Sequence, residues 1–338
     1  MAYDIVLQFE DGVTRVVPCE PTEVVADAAY RAKINIPLDC RDGACGTCKC
    51  HAESGTYTMG DDYIEDALAQ DEAAAGYVLT CQMRPTSDCI VTVPVASTAC
   101  KMEVGSHGGH LAAIDRSSPT TVTFTLKAER PLAFLPGQYV NLQVPGTKET
   151  RSYSFSSAPD RDELSFLIRD VPDGLMSTFM RKKAAIGDFM MFTGPYGRFY
   201  LRPAVRPILM LAGGTGLAPF LSMLLWLKDH PTTQPIRLAY GVNTLADLVE
   251  LETLADLKAA MPNLDWFSVV VDEASGHDRL GYVTDHLSAD DLAGGDVDVY
   301  VCGPPPMVEG VRRWMAGVGV EPKNFLFEKF SSTNEVPA

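Results

Sequence analysis

The chain has 338 residues, of which 46% are hydrophobic and 21% are charged, and its net charge at pH 7 is −16. This length allows two or three domains, and the composition is ordinary for a water-soluble globular protein. The strong negative charge argues against binding to nucleic acids or to anionic membranes. Residues 1–100 carry 16 acidic but only 6 basic residues, which serves either solubility or docking to a basic partner.

The start of the chain has neither a basic region nor a long apolar run, so no secretory signal is expected. Nine cysteines without such a signal favour reduced thiols and a cytoplasmic location. The segment 207–227 has no charged residue. Glycines at 213, 214 and 216 and a proline at 219 interrupt it, so we interpret it as a buried strand, a turn and a packed helix rather than a membrane span.

Residues 1–100 are predicted to form a small α+β domain of the β-grasp kind, because a hairpin and a helix precede two late strands. Asp11-Gly12 is a hairpin signal, and Pro21 favours a helix start. The expected elements are strands at 4–9 and 13–17, a helix with apolar positions from 24 to 29, and strands at 78–80 and 90–93.

Four cysteines of this domain have a distinctive spacing. Cys40, Cys45 and Cys48 read C-x4-C-x2-C, and Cys81 follows well downstream. This is the plant-type [2Fe–2S] pattern, in which a tight loop supplies three thiolates and a distant segment supplies the fourth. The spacing therefore predicts that these four cysteines are the ligands of an iron–sulfur cluster.

Two other interpretations of these cysteines match the spacing less well. A thioredoxin-like pair at Cys45 and Cys48 would leave Cys40 and Cys81 unexplained. A four-cysteine zinc site usually needs two close pairs, and Cys81 has no close second partner downstream. The loop also carries Gly, Ala and Gly at 43, 44 and 46, which would let backbone N–H groups approach the sulfurs of a cluster.

The rest of the chain shows three further patterns. Residues 101–110 are glycine-rich and polar, which predicts a linker. Residues 111–204 contain strands punctuated by Gly and Pro, which favours a small antiparallel barrel with one helix near 173–180. From 205 to 338 apolar strands alternate with helices, which is typical of a parallel α/β sheet. The predicted strands are 121–126, 138–144, 164–168 and 189–192 in the barrel, and 208–212, 236–240, 266–271, 297–302 and 325–330 in the α/β domain.

Two glycine turns follow strands of the α/β segment: Gly213-Gly214-Thr215-Gly216 and Cys302-Gly303-Pro304. Neither is the G-x-G-x-x-G fingerprint. Glycines at the carboxyl ends of parallel strands nevertheless let a dinucleotide approach backbone N–H groups.

The sequence Arg151-Ser152-Tyr153-Ser154, placed between a ferredoxin-like and an α/β segment, resembles that of the ferredoxin–NADP reductase superfamily. The resemblance implies that Arg151 pairs with the flavin pyrophosphate, that Tyr153 packs on the isoalloxazine and that Ser154 lies near flavin N5. It also implies that the helix start at 174–177 receives the pyrophosphate and that the glycine turns frame the nicotinamide. The implied cofactor-binding residues are Arg151, Ser152, Tyr153, Ser154, Gly174, Leu175, Met176, Ser177, Gly213, Gly214, Thr215, Gly216, Cys302, Gly303, Pro304 and Phe330.

Hydride transfer at the flavin needs no side chain as a general acid or base. The resemblance instead places Ser154, Thr215, Cys302, Glu328 and Phe330 near the reacting rings. The segment 242–247 has no basic residue to bind a 2′-phosphate, and its Asp247 would repel one. The sequence therefore predicts NADH rather than NADPH.

The order of ferredoxin, flavin and NAD domains, with the sequences at 8–15, 39–48, 149–157 and 324–331, resembles the reductase components of the benzoate 1,2-dioxygenase type, including those of toluate and anthranilate dioxygenases. The resemblance implies that electrons pass from NADH through FAD and the [2Fe–2S] cluster to a separate Rieske-type oxygenase. The same domain order would also suit a di-iron monooxygenase or a deoxysugar dehydratase system. A non-enzymatic ferredoxin carrier or redox sensor would leave the glycine turns without a role.

Overall fold

The computed structural model describes residues 2–11, 14–60, 63–101, 105–132, 134–159, 161–197, 199–202 and 204–330. The tip of the predicted hairpin at 12–13, part of the predicted linker at 102–104 and the end of the last predicted domain at 331–338 lie outside these residues. The chain divides into two compact units. One comprises Met1–Gly105 with Gly194–Arg198, and the other comprises Ser106–Thr193 with Phe199–Ala338.

The first unit is built on a five-stranded sheet whose strand order is β2-β1-β7-β3-β5, beside a two-stranded ribbon of β4 and β6. Its elements are β1 (Tyr3–Phe9), β2 (Thr14–Cys19), α1 (Val25–Arg31), β3 (Lys49–Ser54), β4 (Tyr57–Thr58), α2 (Gln70–Ala74), β5 (Tyr77–Leu79), β6 (Arg84–Pro85) and β7 (Cys89–Val93). Side chains alternate along β1, so that Ile5, Leu7 and Phe9 are buried. The predicted hairpin, helix and late strands are confirmed.

The pairing of these strands is mixed. β1 and β2 run antiparallel, from Tyr3 opposite Cys19 to Gln8 opposite Thr14. β1 also pairs with β7 in parallel, with Ile5 opposite Cys89. The apolar face of α1 buries Val25, Ala26, Ala28 and Ala29, and Ala26 packs in one buried cluster with Cys48 and Cys81.

The second unit begins with a six-stranded sheet in the order β11-β10-β13-β8-β9-β12. Its elements are β8 (Gly105–Asp115), β9 (Thr121–Ala128), β10 (Tyr139–Gln143), β11 (Thr150–Ser154), β12 (Glu163–Arg169), α3 (Leu175–Lys182) and β13 (Phe189–Tyr196). The buried rings of Phe124, Phe155 and Phe166 lie at its centre. Phe155, directly after β11, forms an antiparallel bridge to Phe166 on β12, so the two outermost strands of the sheet touch.

The second half of the predicted linker at 101–110 is in fact the start of a strand, because β8 begins at Gly105. Glycine persists in this strand for a steric reason. A Cβ at Gly108 would lie 2.6 Å from the ring of Phe189, and one at Gly109 would lie 3.1 Å from the carbonyl oxygen of Lys127. A glycine within a strand often marks such a close approach. The sequence pattern alone did not distinguish this from a linker.

The remainder of the second unit is a parallel sheet in the order β16-β15-β14-β17-β18, as the alternation of strands and helices predicts. Its elements are β14 (Ile208–Gly213), α4 (Ala218–Asp229), β15 (Ile236–Val242), α5 (Leu251–Ala260), β16 (Leu264–Val270), β17 (Asp298–Gly303), α6 (Pro305–Val318) and β18 (Asn324–Lys329). The chain turns back at β14, which lies between β15 and β17. Such a switch point is where open α/β sheets bind ligands.

Helices cover both faces of this parallel sheet. Met210 packs with residues of α4 and α5 in one apolar cluster, whereas its neighbours Leu209 and Leu211 pack with residues of α6 in another. Burial on both faces explains the continuous apolar run of β14. The uncharged segment 207–227 therefore forms the predicted strand, turn and helix. Within the described part of the chain, no helix has the length and apolar character required to cross a membrane.

Candidate functional site

Four cysteines of the first unit converge from two parts of the chain. Cys40 Sγ lies 3.0 Å from Cys45 Sγ in the loop before β3. Cys48 and Cys81 lie within hydrogen-bonding reach of each other, and both belong to a buried cluster with Leu79. The structure thus brings the four predicted ligands together as two close pairs.

The loop backbone turns toward these sulfurs. The N–H of Cys45 donates to Cys40 Sγ at 3.3 Å, and the N–H of Thr47 donates to Cys45 Sγ at 3.4 Å. Gly43 and Gly46 have φ of 82° and 67°, a conformation that suits glycine. Amide donors aimed at sulfur stabilise negative charge there, which is what thiolate ligands of a cluster require.

The thiols differ in how readily they ionise. Burial raises the pKa of Cys40 to about 11, whereas a hydrogen bond from Cys81 lowers the pKa of Cys48 to about 6. Within the described residues, no group of three or more His, Cys, Asp or Glu side chains is placed to hold a single metal ion. The two thiol pairs with their amide donors fit a cluster of two irons, since each iron takes two thiolates.

A second site lies in the other unit, where the six-stranded sheet meets the parallel sheet. The hydroxyl of Ser154, at the end of β11, donates to Glu328 Oε2 on β18 at 3.3 Å. Glu328 is opposite Cys302 in the parallel register of β17 and β18. Cys302 is fully buried, and this burial, reinforced by the charge of Glu328, raises its pKa well above the usual value.

The two predicted glycine turns face each other beside this junction. A Cβ at Gly303 would lie 3.2 Å from Gly213 Cα, and a Cβ at Gly216 would lie 2.3 Å from the carbonyl oxygen of Cys302. Gly214 has φ of 56° and opens a short 3₁₀ turn that contains Thr215. The absence of side chains therefore allows the ends of β14 and β17 to come together.

The predicted aromatic residue, Phe330, is also at this junction. Its N–H donates to the carbonyl oxygen of Gly303 at 2.9 Å, while its ring packs partly buried against the apolar cluster of α4 and α5. Pro304 precedes α6 as its N-terminal cap. The structure thus gathers Ser154, Cys302 and Glu328 with both glycine turns at one junction between the two sheets.

The strand β11 carries the predicted flavin-contacting sequence. Arg151 is half-buried and donates to the carbonyl oxygen of Thr150 at 2.7 Å and to Glu149 Oε2 at 3.3 Å. Ser152 is exposed and donates to Asn141 Oδ1 at 2.7 Å. Tyr153 packs against the core of the six-stranded sheet. The acidic partner of Arg151 was not foreseen, although Glu149 lies only two residues away in the sequence.

The predicted helix start corresponds to α3, with Gly174 as its N-terminal cap. Leu175 is 45% exposed and Met176 is buried. The hydroxyl of Ser177 donates to the carbonyl oxygens of Val171 at 2.9 Å and of Gly174 at 3.2 Å. That hydroxyl thus stabilises the helix start, and the backbone N–H groups of this turn are the donors suited to a phosphate.

The role of Asp247 differs in detail from the sequence-based expectation. Its carboxylate accepts from the N–H of Thr244 at 3.0 Å and from the Thr244 hydroxyl at 2.8 Å, capping a 3₁₀ turn over 245–247. The T-x-x-D spacing of this capping box was a signal in the sequence that could have revealed it. The charge still lies just beyond β15, at the carboxyl edge of the sheet.

Comparisons with known proteins match this layout. A 2Fe-2S iron-sulfur cluster binding domain matches residues 8–86, an oxidoreductase FAD-binding domain matches residues 110–200 and an oxidoreductase NAD-binding domain matches residues 210–313. The chain therefore contains the domains for all three cofactors that its sequence predicts.

Similar proteins match over nearly the full chain. The toluate 1,2-dioxygenase electron transfer component of Pseudomonas putida is 50% identical, covering 98% of this chain and 100% of that protein. The 2-halobenzoate 1,2-dioxygenase electron transfer component of Burkholderia cepacia is 51% identical, covering 98% and 99%. The crystal structure of an Amycolatopsis cytochrome P450 reductase has a TM-score of 0.72 at 31% identity, covering 97% of this chain and 99% of that one. The chain belongs to the family of flavin and iron–sulfur oxidoreductases with an NAD-binding domain that act as electron transfer components of aromatic-ring dioxygenases.

Proposed function

We propose that this protein collects electron pairs from NADH and delivers them singly to a separate Rieske-type oxygenase that dihydroxylates an aromatic acid. When bound, FAD supplies the change from two-electron to one-electron chemistry, and the [2Fe–2S] cluster supplies the one-electron exit. The residues of the chain bind, align and insulate these groups. No side chain needs to act as a general acid or base.

The observation that carries this proposal is the contact between Ser154 and Glu328 beside two facing glycine turns. It joins the end of the flavin-domain strand to the switch point of the parallel sheet. A nicotinamide held at that switch point by Thr215 and the backbone of the glycine turns would lie against a flavin ring at Ser154. Such alignment is the main contribution a protein makes to hydride transfer.

For the iron–sulfur site, we assign Cys40 and Cys45 to one iron and Cys48 and Cys81 to the other. The 3.0 Å separation of the first two sulfurs and the hydrogen-bonding contact of the second two support this division. Because Cys45 is the exposed member of the set, its side of the loop is the proposed exit for the electron.

For the flavin, we assign the ring to Tyr153 and Ser154 and the pyrophosphate to Arg151 and to the amide groups at 174–177. Binding requires the guanidinium of Arg151 to turn from Glu149, whose contact at 3.3 Å is at the long end for a hydrogen bond. We assign Ser152, which lies between Arg151 and Tyr153 on β11, to the same flavin site. Phe330 would shield the ring on the side of the parallel sheet, with Glu328 beside it.

For the nicotinamide cofactor, we assign the pyrophosphate and nicotinamide to the turns at 213–216 and 302–304. The preference for NADH follows from the segment after β15, where Asp247 is the charged residue and no Lys or Arg occurs from 242 to 247. A 2′-phosphate there would meet a like charge. The ratio of kcat/KM for NADH to that for NADPH should exceed one, and a ratio below one contradicts the assignment.

The finer description of the fold belongs to the same proposal. We assign residues 1–100 to a β-grasp ferredoxin domain, 111–204 to a flavin-binding barrel and 205–338 to the NAD domain. The bridge between Phe155 and Phe166, and the bond from the N–H of Ser156 to the carbonyl oxygen of Ser165 at 2.8 Å, support a closed barrel. We further propose a cytoplasmic location.

The function is tested by adding NADH anaerobically to the fully loaded protein, which should bleach its visible spectrum. Oxygen uptake with NADH, purified oxygenases and a panel of aromatic acids then identifies the partner. If the spectrum remained unbleached, the proposed reductase function would be ruled out. Bleaching without coupling to any Rieske oxygenase, but with coupling to a di-iron monooxygenase or a dehydratase, would keep the reductase and replace its partner.

A further inference from the structure

We propose that Thr120, supported by Ser118 and by the pair Thr123 and Glu250, positions the loop that follows β15 and so sets the rate of hydride transfer. This loop, at 243–250, is positioned relative to the six-stranded sheet, which we call the flavin sheet. We call these four residues the hydroxyl clasp. The inference rests on the proposed function, because it assumes that the dinucleotide binds at the carboxyl end of β15.

The clasp joins the flavin sheet to the loop that follows β15. The Thr120 hydroxyl donates to the carbonyl oxygen of Ala246 at 3.0 Å, and the Ser118 hydroxyl approaches the same oxygen at 3.5 Å. The Thr123 hydroxyl approaches Glu250 Oε1 at 3.5 Å. The contact made by Thr120 is the strongest of the three, since O–H···O bonds weaken beyond about 3 Å.

The same loop is held from its other side. Tyr240, fully buried in β15, donates its hydroxyl to the carbonyl oxygen of Asp247 at 3.1 Å. Two successive carbonyls at the end of the 3₁₀ turn over 245–247 are thus bound, one by the flavin sheet and the other by the parallel sheet. Terminal carbonyls of a helical turn have no partner within the turn, so these hydroxyls determine where the turn lies.

Glu250 marks the end of the clasped segment. It has φ of 60° and ψ of 22°, a left-handed conformation that is uncommon for a residue other than glycine. Its second carboxylate oxygen accepts from Thr253 at 2.7 Å, at the start of α5. A strained backbone of this kind persists only where its surroundings hold it, and such positions cluster at functional sites.

An apolar contact lies directly beside the clasp. Leu167 of β12, opposite Thr123 in the register with β9, is buried in the cluster formed by α4, α5 and the parallel sheet. The two sheets are thus joined by packing at Leu167 and by directional hydrogen bonds at the loop. Packing opposes separation of the sheets, whereas the hydrogen bonds fix the loop along one direction. An error of about 1 Å in alignment can slow a reaction about a hundredfold.

The test uses the full-length, cofactor-loaded protein and stopped-flow reduction of its flavin by NADH and by NADH deuterated at C4. The double variant Thr120→Val, Thr123→Val keeps the shape of both side chains and removes both hydroxyls. We expect its limiting rate of flavin reduction to fall about tenfold, with FAD content unchanged, with a small loss of thermal stability from the missing hydrogen bonds, and with the isotope effect retained or increased. Thr120→Ser, Thr123→Ser keeps the hydroxyls and should retain the wild-type rate.

A matched control lies on the same strand. The hydroxyl of Thr125 on β9 forms a hydrogen bond with the hydroxyl of Ser165 at 3.0 Å within the flavin sheet, and Thr125 is not part of the clasp. Thr125→Val should therefore change the rate less than twofold. The inference is overturned if the double valine variant reduces its flavin at the wild-type rate, if the serine variant is as slow as the valine variant, or if Thr125→Val is equally slow. Failure of the wild-type protein itself to be reduced by NADH would instead overturn the proposed function.

Discussion

Gly216 provides the sharpest test of the junction at the switch point. A Cβ at this position would lie 2.3 Å from the carbonyl oxygen of Cys302, 2.7 Å from its carbonyl carbon and 3.1 Å from the N–H nitrogen of Gly303. All three atoms belong to the backbone of β17, so no side chain can rotate away. Because van der Waals contact begins near 3.4 Å, the Gly216→Ala variant must separate the turn from β17 by about 1 Å.

We expect Gly216→Ala to lower the free energy of unfolding by about 1–3 kcal/mol, the usual cost of overpacking a rigid site. The same displacement should slow flavin reduction by NADH about 10- to 100-fold, because the proposed nicotinamide site lies at this turn. Denaturant unfolding and anaerobic stopped-flow spectroscopy measure the two effects.

The matched control is Gly310→Ala. Gly310 lies in the middle of α6, and the nearest atom to its Cβ would be Arg313 Nη2 at 4.0 Å. Alanine should stabilise this helix by about 0.5–1 kcal/mol and leave flavin reduction unchanged. The close approach of the two turns would be refuted if Gly216→Ala unfolded at the wild-type denaturant concentration and reduced its flavin at the wild-type rate.

Three further predictions concern the other groups. Cys45→Ser should lose the iron–sulfur absorption yet still reduce a two-electron dye with NADH, and loss of dye reduction in a folded, flavin-loaded variant would contradict the separate roles of the two units. Hydrogen bonds from the N–H and hydroxyl of Ser117 lower the pKa of Asp115 below its usual 3.8. These bonds therefore stabilise the folded state fully above pH 3.8, and the stabilisation is lost as the pH falls through the lowered pKa. Ser117→Ala should therefore lower the free energy of unfolding near pH 6 and lower it progressively less at more acidic pH. Urea unfolding at several pH values measures this, and a loss independent of pH would show that the Asp115 carboxylate is not the group responsible. Asp247→Asn should raise kcat/KM for NADPH relative to NADH by about fivefold, since removing one like charge is worth about 1 kcal/mol. An unchanged ratio would show that Asp247 does not contribute to specificity.

Much of the architecture could be predicted because its signals are local. The spacing of Cys40, Cys45 and Cys48 specifies a tight loop, and alternation along residues 3–9 specifies a half-buried strand. The continuous apolar run at 208–212 specifies a strand buried on both faces, and the glycines after it specify a turn at the sheet edge. The arrangement of domains in the sequence then indicated the family, which the comparisons confirmed.

Sequence reasoning failed where the deciding partner is distant. The glycines of 105–110 were interpreted as part of a linker, but they lie in a regular strand, where Phe189 approaches Gly108 and the carbonyl oxygen of Lys127 approaches Gly109. The carboxylate of Asp247 was expected to repel a 2′-phosphate, and the structure shows that it also caps its own turn through Thr244. The hydroxyl clasp left no pattern at all, because serine and threonine in strands and turns are common surface residues.

The sequence by itself predicted most of the strands and helices, and it indicated which residues have the chemistry to hold iron, flavin and dinucleotide. Spacing and periodicity suffice for this, because they act over a few residues of backbone. Only the tertiary structure decided how these groups meet: Cys40 pairs with Cys45 and Cys48 with Cys81, and Ser154 donates directly to Glu328 across 174 positions of sequence. Contacts of that span arise from the packing of whole sheets, whose relative position depends on many weak interactions at once rather than on any local pattern.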